Sequence, residues 1–334
     1  MGNRMDREKQ IRAVLKEHYN IHAKRIVRLK GGWSALAYLI ADSDRKYFLK
    51  VYDKKRPSST KWIDAIDQYM PIVEWLHGHA TLKKHVVKPM LTNSEMYTCE
   101  DEQTVYLLSA FVDGYTIGSS PLKLGQVKEI AKILGTLHHS TEDVPAHLMK
   151  RLPRENFDIG FCRSLYKFIK NDLLSKHDAV LRTVKPFTSY LLDNIKRMKY
   201  LAETLKKKHK HYVLCHGDAH YWNMIQSKHI KLIDWECMIV APLEQDLILH
   251  VTGQHTESFL SFYKRYGTST KLDLDALEFY FLKRRLEAIW QWIEDLRNEE
   301  VIKSKEETLK LLKVNLIECT KATSFRAYLE ANIE

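Results

Sequence analysis

The chain has 334 residues, 53 Lys+Arg against 42 Asp+Glu, and 45% hydrophobic residues. That is enough for one large or two medium domains, and it excludes a disordered, collagenous or coiled-coil protein as a global reading. Residues 1–16 are charged, without the apolar stretch of a signal peptide, and no window approaches the roughly 20 uninterrupted apolar residues of a membrane span. Five cysteines at irregular spacing predict reduced thiols in a cytoplasmic protein. The net charge of +11 is dispersed, and its densest run, 206–211, follows a helical stretch as a solvated face would. A nucleic-acid partner is therefore not expected, whereas a nucleotide ligand would welcome the positive potential.

Residues 25–29, 35–41 and 46–52 read as strands, the last alternating apolar and polar with period two throughout. A helix is predicted between 59 and 79, with Thr60 as N-cap and Pro71 splitting it or starting a second helix, because proline removes a donor and clashes with the preceding turn. Residues 86–91 and 104–112 are the next strand candidates. Beyond Asp113-Gly114 the period changes: Val127, Ile130, Ala131, Leu134 and Leu137 fall on one helical face, and 160–205 is again helical in spacing. A strand pair at 212–215 and 230–234 interrupts this, and 244–334 is mostly helical. The predicted organisation is an α/β (α+β) protein of two lobes: a strand-rich N-terminal lobe over 1–108, a hinge at 109–114 and a larger helical lobe over 115–334.

The segment that carries chemistry is Tyr212-Val-Leu-Cys-His-Gly-Asp-Ala-His-Tyr-Trp-Asn, which contains His216, Asp218 and, five residues beyond the aspartate, Asn223. An apolar run then ends in Asp234-Trp235-Glu236. An aspartate and an asparagine on one loop, facing a second aspartate at a strand end, suit magnesium and phosphate. The hard cation takes oxygen ligands, one or two from side chains and the rest from phosphate and water. Asp218 is then the carboxylate able to accept a hydroxyl proton. A zinc site from Cys215, His216, His220 and Cys237 is the rival, but adjacent Cys215 and His216 cannot easily face one ion. No Ser-His-Asp elbow, Walker A loop or His-Glu-x-x-His is present, which leaves hydrolase and P-loop readings without an anchor.

His-x-Asp-x-x-x-x-Asn followed by Ile-Asp-Trp-Glu, and then by Pro242-Leu-Glu-Gln-Asp246-Leu247, resembles the kinase-like aminoglycoside phosphotransferases and their relatives, the choline, homoserine and methylthioribose kinases. The resemblance covers about residues 10 to 300 and implies a protein-kinase-like fold. It assigns Asp218 as catalytic base, Asn223 and Asp234 as magnesium ligands, and Lys50 as the lysine on the α/β-phosphates. Gly31, Gly32 and Ser34 would lie in the phosphate-covering loop, and backbone groups near Ala110 and Val112 would meet the adenine edge. A helix carboxylate should pair with Lys50; Asp64, Asp67 and Glu74 compete, and Asp67 is the favoured one. His216 and Asp246 are expected to organise the loops, and His220 to support the base from behind.

The resemblance implies ATP or GTP with Mg2+ as cofactors and a small, hydroxyl-bearing, cationic acceptor. Within the family, the run from Tyr212 to His216, the second histidine at 220 and the acid at 236 resemble the enzymes that phosphorylate spectinomycin, an aminocyclitol. Acceptor contacts are expected from Asp218 and Glu236, and from Glu287 and Trp290 on the helix after 273, where Leu286, Ile289, Ile293 and Leu296 read as the core face. A metabolic kinase for choline, homoserine or a sugar is the alternative, and a catalytically idle binding or coat protein is a third. No membrane partner is expected.

Overall fold

The computed structural model describes residues 2–29, 35–172, 179–208, 211–266, 271–297 and 304–333. The phosphate-covering loop expected at Gly31, Gly32 and Ser34 lies outside the described residues. The chain forms two compact units, Met1–Pro153 with His216–Ile239, and Arg154–Cys215 with Val240–Glu334. It is a mixed α/β protein with a small antiparallel-sheet N-terminal lobe and a larger helical part. No described helix is long and apolar enough to cross a membrane.

The first unit opens with α1 (Gly2–Tyr19), β1 (Arg25–Arg28), β2 (Leu36–Ala41), β3 (Lys46–Asp53) and α2 (Pro57–Gly78). It continues with β4 (Thr98–Glu100), β5 (Thr104–Ala110), β6 (Tyr115–Thr116), α3 (Leu124–His139) and α4 (Ala146–Met149). Five strands pair antiparallel in the order β1-β2-β3-β5-β4. The period-two pattern of β3 has a structural consequence. Tyr47, Leu49 and Val51 enter the core that Ile11, Val14 and Leu15 of α1 help to fill, while Lys50 and Tyr52 share the other face. Helix α1 is absent from the sequence expectations, although Ile11, Val14 and Leu15 stand at the i, i+3, i+4 spacing of a buried stripe.

Two expected elements come out differently. Helix α2 begins at Pro57 rather than at a Thr60 cap and runs unbroken through Pro71. Proline at 71 leaves the carbonyl of Asp67, four residues back, without its helical donor. Arg151 Nη1 donates to that oxygen at 3.3 Å, which satisfies it from outside the helix. Residues 86–91 form no strand; they make two isolated bridges, Val86 to Leu232 and Pro89 to Ser109, with Met90 N–H on Leu108 O and Ala110 N–H on Lys88 O. Proline in the middle of the run cannot donate, and regular pairing stops there.

The expected strand pair at 212–215 and 230–234 is also differently made. β7 (Tyr212–Cys215) pairs with a later strand, whereas β8 (Met224–Gln226) and β9 (Ile230–Leu232) form a hairpin that adds to β6. The three-residue connection between β8 and β9 makes the local hairpin the accessible partner.

In the second unit, the helical region 160–205 resolves into α5 (Gly160–Lys167), a π turn at Phe168–Asp172, α6 (Ala179–Val184) and α7 (Thr188–Lys207). The partner of β7 is β10 (Ile239–Pro242), followed by α8 (Glu244–Leu247), α9 (Thr256–Tyr263), α10 (Leu274–Arg297), α11 (Lys305–Thr320) and α12 (Ala322–Ile333). Helix α10 is the spine. Its N-terminal half is buried almost all round, including Glu278, which takes a bidentate pair from Arg197 at 2.7 and 2.6 Å. A buried carboxylate needs such partners, and a forked guanidinium supplies two at once.

Candidate active site

The loop after β7 is built on Gly217, whose φ of +81° lies in the left-handed region. A Cβ there would overlap the carbonyl oxygen of Cys237, so only glycine fits. His216 is fully buried and uses both ring nitrogens: Nδ1 accepts from Asp218 N–H at 3.2 Å and Nε2 bonds Ile233 O at 3.0 Å. Because Nδ1 accepts, Nε2 carries the proton, and the neutral ring ties the loop to the segment that ends in Asp234. Both nitrogens being taken, His216 cannot serve the rival zinc site. Trp235 packs on the imidazole, with ring centroids 4.5 Å apart.

Asn223 is held next. Its backbone N–H reaches His220 O at 2.8 Å and His220 Nδ1 at 3.2 Å, and its own carbonyl accepts from Ile233 N–H at 2.9 Å. That last bond extends the β8–β9 ladder by one step and sets Asn223 beside the residue before Asp234. Asn223 Nδ2 donates to Asp218 O at 3.0 Å and to Asp218 Oδ2 at 3.1 Å. Spending the amide N–H groups on Asp218 leaves the side-chain oxygen as the ligand atom. His220 Nε2 lies 3.3 Å from Asp218 Oδ2, and the Asp218 side chain remains 29% exposed.

Asp234 stands at the end of β9 with φ +67° and ψ +61°, a conformation uncommon for a residue with a side chain. Its carboxylate reaches Lys50 Nζ at 2.6 Å, and Glu236 Oε1 reaches the same ammonium at 2.6 Å. Tyr52, two residues after Lys50 on the same face of β3, donates its hydroxyl to Glu236 Oε1. Burial alone would pull the lysine down, but the two carboxylates outweigh it and hold the ammonium above its ordinary value. Burial, reinforced by Glu236, pushes the Tyr52 and Tyr69 hydroxyls up.

The structure thus brings Lys50, Asp234 and Glu236 together, and Asp218 with Asn223. It does not bring Asp67 to Lys50. On α2 the buried stripe is Ile66, Tyr69, Met70 and Val73, so Asp64, Asp67 and Glu74 fall on exposed faces. Glu236, expected at the acceptor, has a side chain only 5% exposed and faces Lys50. The pairing was readable in part: Tyr52 at i+2 from Lys50 shares its strand face, and an unpaired acid two residues after Asp234 had to find a cation. At the hinge, Ala110 N–H is taken by Lys88 O at 3.1 Å, and Val112 makes no backbone hydrogen bond among the described residues. In the second unit, Glu287 of α10 is exposed and Trp290 half-buried, its ring edge-on to Phe168 at 6.4 Å. Leu286, Ile289 and Ile293 are buried as the periodicity predicts, Leu296 only partly. Asp246 is fully buried.

Residues 25–280 match the phosphotransferase enzyme family. The chain belongs to that family. Its members phosphorylate hydroxyl groups of small molecules. No curated protein sequence matches the chain at a significant level. Among solved structures, the chain is similar to spectinomycin phosphotransferase in complex with ADP and spectinomycin, at 22% identity and TM-score 0.71, over 94% of this chain and 98% of that one. It is also similar to amicoumacin kinase bound to AMP-PNP and Ca2+, at 16% and 0.63, over 96% of each chain. A choline kinase from Streptococcus pneumoniae is similar at 14% and 0.62, over 95% of this chain and 99% of that one. At these identities the likeness carries the fold.

The donors fit a hard divalent cation. The Asn223 side-chain oxygen and the Asp234 carboxylate, 39% exposed and paired with Lys50, are both oxygen donors on adjacent backbone.

Proposed function

We propose that the chain moves the γ-phosphoryl group of ATP or GTP to a hydroxyl of a small cationic molecule, an aminoglycoside or aminocyclitol such as spectinomycin, and that it works in the cytoplasm as a resistance enzyme. The observation that carries this reading is the bonded set in which Asn223 holds Asp218 while Asp234 meets Lys50. Asp218 orients the acceptor hydroxyl and takes its proton. Asn223 and Asp234 hold Mg2+, which when bound neutralises the polyphosphate. Lys50 braces the α- and β-phosphates. Ala110 C=O and Val112 N–H face the adenine edge, since Ala110 N–H is already engaged.

Asp218 suits the base because the neutral His216 ring and the Asn223 amide fix it from two sides, so its orientation is set before substrate arrives. Glu287 and Trp290 supply a carboxylate and an aromatic face to a cationic acceptor. The fold likeness to a spectinomycin-bound relative supports that choice of acceptor class.

The test is a coupled ATPase screen of the purified protein with spectinomycin, other aminoglycosides, choline and homoserine, each with ATP and with GTP. Spectinomycin-dependent ADP release is expected. Turnover confined to choline or homoserine would make the chain a metabolic kinase, and silence with every acceptor and both nucleotides would overturn the phosphoryl-transfer assignment of these residues.

A further inference from the structure

Lys50 holds two carboxylates, and they are not equivalent. Asp234 is 39% exposed, and among the described residues its side chain bonds only the lysine, so it can turn away at little cost. Glu236 is 5% exposed, and its Oε1 is shared between Lys50 Nζ and the Tyr52 hydroxyl. Tyr52 is itself fully buried, and Tyr69, the inward residue of α2, is buried beside the pair. Parting Glu236 from the ammonium and from the Tyr52 hydroxyl would break two charge-assisted bonds in a nearly closed site, which is costlier than parting an exposed pair. Helix α2, meanwhile, presents Tyr69 inward and keeps Asp64, Asp67 and Glu74 outside.

We infer that Glu236 is the fixed counter-charge that positions Lys50 for the nucleotide phosphates, replacing a helix carboxylate, and that Asp234 is the exchangeable one, released to the metal when Mg-nucleotide binds. This rests on the proposed function, which assigns the lysine to phosphate and Asp234 to metal. The lysine's aim is thereby set by the same loop that carries the metal aspartate, two residues away. Glu236 is a positioning residue: it acts through Lys50, Tyr52 acts through Glu236, and Tyr69 acts through Tyr52.

The test is a double-mutant cycle on Mg-ATP binding by the full-length protein, followed by calorimetry up to millimolar ATP, with melting curves for every variant. Glu236→Gln should weaken Mg-ATP by about 10-fold in the parent and by less than about 2-fold in a Lys50→Met background, the non-additivity expected of residues that act as a unit. Lys50→Met should lower the melting temperature by stranding the buried Glu236, and the double variant should recover part of that loss. Asp67→Asn should bind within about 2-fold of the parent, as exposed substitutions away from a site do. If Glu236→Gln fails to melt cooperatively, Tyr52→Phe replaces it, expected to weaken binding by about 3-fold in the parent and not at all beside Lys50→Met. Equal losses in both backgrounds would make Glu236 a metal ligand or a plain structural residue and overturn the inference. So would unchanged binding by Glu236→Gln, or a loss in Asp67→Asn matching it. Unchanged binding by Lys50→Met would instead remove the phosphate role of Lys50 and with it the reading on which the inference stands.

Discussion

Residues 216–236 and the C-terminal half of α10 both offer acids and aromatic rings, but they hold them in opposite ways. In the first, His216 is buried with both nitrogens bonded, Asn223 makes five polar contacts while 7% exposed, and Glu236 is shut in against Lys50. In α10, Glu287 is exposed and Trp290 leans on Phe168 with part of its ring open. A buried polar side chain can be satisfied in few ways, so its type and spacing are tightly set. An exposed helix acid can be exchanged for another polar residue at little cost. The proposed chemistry falls where polar groups are buried together, and the proposed acceptor contacts fall where they are not.

The sharpest way to break this comparison is at the base. If Asp218 is the base, Asp218→Ala should lower kcat by at least ~10²-fold, the usual span for a positioned proton acceptor, with ATP affinity nearly unchanged because the proposed role is toward the acceptor. Steady-state kinetics with the acceptor found in the screen, beside calorimetric titration of ATP, read the two quantities separately. Near-normal turnover would return Asp218 to the status of a loop acid.

Asp234→Asn comes next. On the proposed metal role it removes a charge that Mg2+ would need, so the gain in ATP affinity on adding Mg2+ should vanish. Without Mg2+ the variant should bind ATP as well as the parent or slightly better, since one carboxylate repelling phosphate is gone. Titrations with and without Mg2+ decide it, and a variant that keeps the full Mg2+ gain would not be missing a ligand.

The same contrast explains how far the sequence could be read. The spacing of His216, Asp218, Asn223 and Asp234 was legible because each is locked to the next through backbone and side chain, and moving any one by a residue would strand a buried group. The alternation of β3 was legible because one face packs on α1. The partner of Lys50 was not, since it depends on which face of α2 turns inward, and Pro71, whose effect Arg151 offsets, blurred that register. Whether β9 pairs with β7 or β8 was equally hidden, because a short apolar strand carries no mark of its neighbour. Helix α1 is hidden in the sequence because its charged residues outnumber the four positions that pack, Ile11, Val14, Leu15 and Tyr19.

A smaller effect tests the backbone of the catalytic loop. Gly217→Ala places a Cβ on the Cys237 carbonyl at a φ of +81°, so stability should fall by about 1–3 kcal/mol from strain alone. Thermal melting should show this as a clear drop in Tm, whereas Glu287→Ala on α10 should stay within about 0.5 kcal/mol of the parent. Equal melting of the two variants would mean that the loop is not held as tightly as its bonds imply.

The smallest effects are expected on α10, and there the question is which kinetic constant moves. Glu287 and Trp290 lie one helical turn apart, close enough to flank one cationic group. If they meet the acceptor, Glu287→Gln and Trp290→Leu should each raise the acceptor KM by roughly 2- to 5-fold, in keeping with the 0.5 to 1 kcal/mol or so of an exposed cation–π or charge contact. The ATP KM should not change, since neither residue belongs to the unit that carries Lys50 and Asp234. Trp290→Leu also loses its ring contact with Phe168, so its Tm must be followed alongside, and Glu287→Gln, a change of nearly equal size at an exposed position, is the cleaner probe. An acceptor KM that ignores both changes would move acceptor recognition off this face of α10 while leaving the nucleotide chemistry of residues 216–236 intact.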